Sequence, residues 1–317
     1  MKVDVFTNTI IVEDATKILP QLIRTGKQYQ VIIADPPYNI GKDFGNATEV
    51  MPIDDYVKWA ETWIKGCLQL LTDDGLLYLY GLPEIIAWIA VRFPIHEQRW
   101  LVWHYTNKTV PGLKFWQRSH ETILCLWKPN MPRTNLEIDQ IREPYTENFL
   151  KNAAGKVRKD TPSRYGSAGK MTIYNAHKNG ALPRDVIKIP ALAGGAGRSE
   201  RWFVCRTCKS QIFPPAELPE HREHDIFKHP TQKPMELTRR LILSRINGKN
   251  GKVLIPFAGS GSECVVAQAL GIEYLGIEIN PEFVDFAMKW LKYERKDQIT
   301  LKLFEHTANL WDEKCTD

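Results

Sequence analysis

Two alternating patterns of apolar positions run along both ends of the chain. Val31-Ile32-Ile33-Ala34 is a short unbroken apolar run stopped by Asp35-Pro36-Pro37, which predicts a buried strand. From Tyr56 to Leu71 the apolar residues Val57, Ala60, Ile64, Cys67, Leu68 and Leu71 recur near helical spacing. Asp74-Gly75 predicts a turn into a strand over Leu76–Tyr80. Pro83 sits near the start of a helix to about Arg92, and Trp100–Tyr105 and Thr122–Trp127 predict two further strands. Regularity returns at Pro234 with a helix to about Ile246. A strand over Val253–Ile255, a glycine-rich turn, a helix to Leu270, a strand over Tyr274–Ile277 and a helix from Pro281 to about Tyr293 follow. Strands alternating with helices predict an α/β fold on a mainly parallel sheet with helices on both faces.

Between Lys128 and Phe227 the pattern breaks down. The stretch is rich in Pro, Gly, Lys, Arg and Asn, includes Gly194-Gly195-Ala196-Gly197, and has no long periodic run. A compact domain rarely tolerates so long a structureless connection, so the expectation is an inserted subdomain. The predicted division is 1–128, an insert over 129–227, and 228–317. The net charge of +5 is modest, but Lys151 to His224 holds 14 Lys or Arg against 6 Asp or Glu, leaving the remainder slightly acidic. A basic insert beside a near-neutral body suits a polyanion, although a solvated charge-rich loop has the same composition.

No apolar run approaches the ~20 residues of a membrane span. Met1-Lys2-Val3-Asp4-Val5 is not a basic-then-apolar leader, so the cytoplasm is the expected compartment. Six cysteines are too few and scattered for a disulfide framework. Only Cys205 and Cys208 stand close together, and in a reducing compartment such a pair suggests a metal or nothing. With His221 and His224 they give Cys-x2-Cys-x12-His-x2-His, close to a small zinc module but one residue short between the histidines. The expectation is a structural zinc ion. Two thiols beside a charged, His-containing loop are the alternative, and Pro214, Pro215 and Pro219 argue against a long helix there.

Three motifs carry chemistry. Val253-Leu254-Ile255 leads into Pro256-Phe257-Ala258-Gly259-Ser260-Gly261 and a helix, and the next strand ends at Glu278. Glycines at a strand-to-helix turn admit a ligand close to the backbone, and the acidic residue is placed for a ribose diol. The turn lacks the spacing of a dinucleotide fingerprint and no Walker lysine follows, so NAD and ATP fit less well. A tight turn with a surface Glu remains the plain reading. Asp35-Pro36-Pro37-Tyr38 ends a buried strand, so one carboxylate, one proline carbonyl and one aromatic face would project together. That set can grip a planar base bearing an amino group, and it can equally be a rigid turn. His229-Pro230-Thr231-Gln232-Lys233-Pro234 opens a helix, with Thr231 as a candidate cap, and its free amides beside a Lys suit a carboxylate or hydroxyl-rich ligand.

In this order the three motifs resemble the β-group amino-methyltransferases of bacterial restriction–modification systems. The resemblance extends through Asp35–Gly81, Trp103–Tyr145 (including Ser119-His120-Glu121 and Arg142-Glu143-Pro144-Tyr145) and His229–Leu291. It implies a Rossmann-like methyltransferase fold with a seven-stranded-type sheet and an inserted target-recognition region. It also implies S-adenosylmethionine as methyl donor and site-specific methylation of a base flipped out of duplex DNA. Phe257, Ala258, Gly259, Ser260 and Gly261 should line the donor, Glu278 hold its ribose, Thr231 and Lys233 lie near its methionine end, and Asp35 lie near its amino group. Asp35, Pro36, Pro37 and Tyr38 should hold the target base. Asp at the first tetrapeptide position favours adenine N6, whereas Ser accompanies cytosine N4. Kinship further implies a homodimer and a cognate restriction endonuclease. Cytosine-N4 methylation, methylation of RNA or protein glutamine, and a silent DNA-binding module are the competing readings. Trp103, Tyr105 or Trp116 could close the other face of the base, with core packing the alternative for each. Some of Arg158, Arg164, Lys170, Arg184, Arg198 and Arg201 should meet DNA, mostly at phosphates.

Overall fold

The unbroken apolar runs become the middle of one sheet that is buried on both faces. The computed structural model describes residues 6–41, 50–105, 107, 110–129, 136–159, 171–192, 200–212 and 218–297. The first half contains β1 (Thr9–Val12), α1 (Ala15–Arg24), β2 (Tyr29–Ala34), α2 (Ile53–Leu70), β3 (Leu71–Gly81), α3 (Pro83–Ala90), β4 (Gln98–His104) and β5 (His120–Leu126). The insert contributes α4 (Glu147–Asn152), β6 (Val157–Lys159), β7 (Met171–Ile173), β8 (Val186–Lys188), β9 (Phe203–Cys205), β10 (Gln211–Ile212) and β11 (Ile226–Lys228). The last part supplies α5 (Met235–Leu243), β12 (Lys252–Ile255), α6 (Ser262–Ala269), β13 (Glu273–Glu278) and α7 (Pro281–Asp297).

The main sheet has the order β1-β13-β12-β2-β3-β5-β4-β8. Its half from β1 to β3 is parallel, β5 runs antiparallel to both β3 and β4, and β8 pairs parallel with β4. The sheet is therefore mixed, and it exceeds the expected seven strands because the insert donates β8 to its edge. A three-residue strand such as β8 is too short to leave a period in the sequence.

Alternation across the pleat sorts each strand between two cores. Val31 and Ile33 join Leu76, Tyr78 and Tyr80 in the core beneath α5, α6 and α7. Ile32 and Ala34 join Leu77 and Leu79 in the core beneath α1, α2 and α3. Both faces are covered, so no polar alternation is needed, and the strands read as continuous apolar runs. The expected turn at Asp74-Gly75 lies inside β3 as a bulge, where the register on β2 moves from Tyr29 opposite Leu71 to Val31 opposite Leu76. No helix among the described residues is long and apolar enough to cross a membrane.

Candidate active site

Three neighbouring parallel strands, β2, β12 and β13, end on the same edge of the sheet. The residues that follow them converge there although they are far apart in sequence. Asp35-Pro36-Pro37-Tyr38 follows β2, Pro256 to Gly261 follows β12, and Glu278 closes β13. Together they wall a cleft of about 420 Å³, whose lining also includes Trp59, Tyr105, Glu121, His229, Thr231 and Phe283.

On the glycine side, the backbone is bent left-handed at Gly259 (φ +49°), and a Cβ there would stand 2.9 Å from His229 Nε2. Only glycine keeps this bend and that close approach. Gly259 N donates to Glu278 Oε2 at 2.8 Å, and Asn280 N donates to Oε1 at 2.9 Å. Burial raises the Glu278 carboxyl above its usual range, against the pull of these amides. Phe257 is braced from α2 by Trp63 and Trp59, at ring distances of 4.9 and 5.9 Å.

On the tetrapeptide side, Tyr56 Oη donates to the Pro37 carbonyl at 2.6 Å, fixing the turn. Tyr38 Oη lies 2.7 Å from Asp35 Oδ1 and 3.1 Å from Glu121 Oε2, and accepts from Lys233 Nζ at 3.0 Å. The Lys233 ammonium is 3.0 Å from Asp35 and 3.4 Å from Glu121, with its side chain 4% exposed. Burial pulls this lysine down, but the carboxylates of Asp35 and Glu121 outweigh it and hold the ammonium charged. Asp35 moves up, burial first and the Glu121 charge adding, with Lys233 opposing. Glu263, buried in the first turn of α6, is pushed up to about 7 by burial and by the Asp35 charge. The floor of the cleft is thus one ammonium among three carboxyl groups.

A DNA methylase family profile matches residues 29–289, across the whole of this constellation. The chain belongs to the N6/N4 DNA methylases. It is similar to the type II methyltransferase M2.DpnII of Streptococcus pneumoniae, 44% identical over 286 residues, which span 84% of this chain and 83% of that protein. It is similar also to the DNA adenine methyltransferase YhdJ of Escherichia coli (strain K12), 28% identical over 287 residues, which span 89% of this chain and 82% of that protein. The cytosine-N4-specific PvuII DNA methyltransferase shares the fold, with a TM-score of 0.55 at 14% identity over 88% of this chain and 84% of its own. The chain is an S-adenosylmethionine-dependent DNA methyltransferase of the adenine-N6/cytosine-N4 group, related to restriction–modification enzymes.

The methylase cleft gathers Asp35, Pro36, Pro37, Tyr38, Thr231, Phe257, Ala258, Gly259, Ser260 and Glu278. Lys233 stands behind the lining, bound to Asp35. Gly261 precedes α6 as its N-cap and packs toward α7, where a Cβ would meet Ala287 at 2.5 Å. Thr231 does not cap α5. Pro234 is the residue at that position, and the first helical amide, Met235 N, donates instead to Glu200 Oε2 at 3.1 Å. A carboxylate from the insert does what the local hydroxyl was expected to do. Trp103 is buried and donates from Nε1 to the Ile189 carbonyl at 2.8 Å, whereas Tyr105 reaches the cleft and Trp116 is 88% exposed.

Glu121 and Glu263 went unassigned in the sequence reading. Glu121 lies in the Ser119-His120-Glu121 stretch on β5, and Glu263 follows the glycine bend by two residues, so the only signal was an acidic residue beside a motif. Among the basic candidates, Arg158 donates to the Asn152 carbonyl at 2.8 Å, Arg184 pairs with Glu143 at 3.9 Å, and Arg201 donates to the His229 carbonyl at 3.1 Å. Arg164, Lys170, Arg198 and the Gly194–Gly197 run lie outside the described residues.

Cys205, Cys208, His221 and His224 converge within the insert. Their ligand atoms all lie within 4.8 Å of one another. Cys205 Sγ is 3.4 Å from His224 Nδ1, Cys208 Sγ is 3.6 Å from His221 Nδ1, and the two Nδ1 atoms are 3.1 Å apart. The short histidine spacing is accommodated by a tight turn, with His224 N donating to the His221 carbonyl at 3.0 Å. A three-residue period puts both rings on one side, as a four-residue spacing does on an α-helix.

Proposed function

We propose that this methylase transfers a methyl group from S-adenosylmethionine to adenine N6 in duplex DNA. The observation that carries the reading is the single cleft shared by Asp35-Pro36-Pro37-Tyr38 and the Gly259–Glu278 bend. Its lining suits the donor. A half-buried carboxylate at Glu278 is available to a ribose, apolar walls at Phe257 and Phe283 suit an adenine ring, and the volume fits a nucleoside-sized ligand. Thr231, Ala258 and Ser260 complete that side, with Lys233 adding positive charge behind Asp35. The donor supplies a sulfonium methyl group when bound.

An exocyclic amino nitrogen is a weak nucleophile because its lone pair is delocalised into the ring. Asp35 Oδ1 is held by Tyr38 and Lys233, which orients the carboxylate and leaves Oδ2 to accept from the base. With the Pro36 carbonyl as second acceptor, the amino group is held in the geometry that frees its lone pair from the ring plane. After transfer the nitrogen carries one proton too many, and the Asp35 carboxylate is placed to receive it. The base must leave the duplex to reach this floor, at a cost of a few kcal/mol that stacking on Tyr38 offsets in part. Kinship with type II methyltransferases extends the reading to a homodimer in the cytoplasm and to a cognate endonuclease of the same sequence specificity. The reading also includes one structural zinc ion held by Cys205, Cys208, His221 and His224, a closed set of two thiols and two imidazoles.

Incubation with labelled donor and duplex DNA, followed by digestion to nucleosides, should yield N6-methyladenine. N4-methylcytosine would overturn the base assignment, label on RNA or protein would overturn the substrate class, and no transfer by folded protein would leave a silent binding module.

A further inference from the structure

We infer that metal binding at the Cys205–His224 cluster holds the donor-binding segment His229–Lys233 in place, so that zinc and S-adenosylmethionine bind cooperatively. This rests on the zinc assignment and on the cleft assignment, and it goes beyond both by joining them.

The first link is that the ligand-bearing face of the metal-binding unit has only a small core of its own. β9, β10 and β11 form a separate three-stranded sheet whose own core is Phe203, Cys205 and Ile212, with Ile226 packed against it. Its other face is held by the main core, where Val204 and Trp202 are buried, Trp202 stacks on Trp290 at 5.6 Å and Phe227 meets Phe286 at 5.3 Å, so the ion is left to order the small face that carries the ligands. Two ligands lie at or just beyond the end of the central strand β9, and the other two precede its neighbour β11, so one ion ties the end of β9 to the start of β11.

The second link is that this sheet runs directly into the cleft wall. β11 ends at Lys228 and the next residue is His229, whose ring abuts Gly259 and stands edge-on to Phe283 at 4.6 Å. On the β9 side, Arg201 donates to the His229 carbonyl at 3.1 Å, and Trp202 N donates to Gln232 Oε1 at 3.1 Å. Gln232 Nε2 donates in turn to the Glu200 carbonyl at 2.7 Å. The His229–Lys233 segment is therefore gripped from both strands that the ion would join. Releasing the ion frees the strand ends, and the grip on the segment weakens with them.

The test uses the full chain purified without chelator. Elemental analysis should give about one zinc per chain, cobalt exchange should give the absorption of thiolate-bound cobalt, and Cys208→Ser should lose the metal. Hydrogen exchange is then compared before and after stripping. Amides of 226–235 should exchange at least tenfold faster in the stripped protein, those of 29–34 should be unchanged, and zinc should restore protection. Donor affinity by calorimetry should fall at least tenfold on stripping. Arg201→Ala, which leaves all four ligands, should keep its zinc yet show part of the same loss of protection. A metal-free native protein would overturn the zinc assignment and the coupling with it. Bound zinc whose removal leaves 226–235 equally protected would overturn the coupling alone. A protein that shows the exchange response but takes up no donor would overturn the cooperativity with the donor and the cleft assignment, and leave the metal's hold on the segment standing.

Discussion

Lys233 is the residue on which the cleft floor depends. Its ammonium, itself buried, faces Asp35 and Glu121, whose carboxylates are 16% exposed at the cleft, with Glu263 adding to the field. Breaking a buried ion pair by removing one partner leaves unpaired charge behind, which in general costs about 3–5 kcal/mol. Lys233→Met should destabilise by that order in urea unfolding. The loss should be larger at pH 8 than at pH 5, because protonation of the carboxyl groups relieves it. Glu263 gives the wild type its own pH signature. Its carboxyl is raised from 4.5 to about 7, so across that window the folded protein keeps a proton that the unfolded chain has released. Stability is therefore greatest at the acidic end of the window and declines as pH rises through it, by about 3 kcal/mol at most. Asp35 is displaced in the same direction and adds to the decline. Glu263→Gln should flatten the curve between pH 5 and 7 and be more stable than wild type at pH 8, read as the urea midpoint at each pH.

At the level of elements, what was legible in the sequence is what a parallel sheet writes into it. β2, β3, β12 and β13 are buried on both faces and appear as apolar runs, and β2, β12 and β13 end in the residues that carry the chemistry. β1, with four residues, is too short to carry such a signal, whereas α1 did carry one that went unassigned, with Ala15, Ile18, Leu19 and Leu22 at helical spacing behind the Asp14 cap and only Pro20 against it. The strands of the insert have two or three residues each, below any measurable period, and their pairings come from tertiary contacts. The same limit hid Glu121, whose partner Lys233 comes from another element. The glycine bend was legible as a ligand turn, but its two glycines do different work. Gly259 admits His229 at the cleft, whereas Gly261 lets α6 approach α7. Gly261→Ala adds a methyl group 2.5 Å from Ala287 Cβ at a residue with φ +80°. It should lower stability by about 1–3 kcal/mol, combining overpacking and backbone strain. Its effect on donor affinity should be smaller than that of Gly259→Ala, measured by calorimetry on the folded variants.

Across the whole molecule, charge and shape separate in a way that bears on DNA. The body holds the cleft, while the basic surplus lies in the insert, where β6 and β7 pair as a two-stranded antiparallel ribbon with every residue exposed. An isolated ribbon is marginal in water, and this one is rooted by Tyr145 stacked on Phe149 at 4.7 Å, with Tyr174 edge-on to Phe149 at 5.5 Å. Such a ribbon has the width to enter a major groove, and it carries Lys156, Arg158 and Lys159. If these residues meet phosphates, each neutralised contact releases counterions and contributes about 0.9 to the slope of log affinity against log salt. Replacing all three with Gln should therefore lower that slope by about 3 and weaken DNA binding most at low salt. Donor affinity and the unfolding midpoint should stay unchanged, because the ribbon lies outside both cores. Titrations of a methylated and an unmethylated duplex at several salt concentrations measure the slope directly. An unaltered slope would remove the ribbon from the DNA interface, and a relaxed sequence preference at one base pair would identify a base-reading side chain among the three.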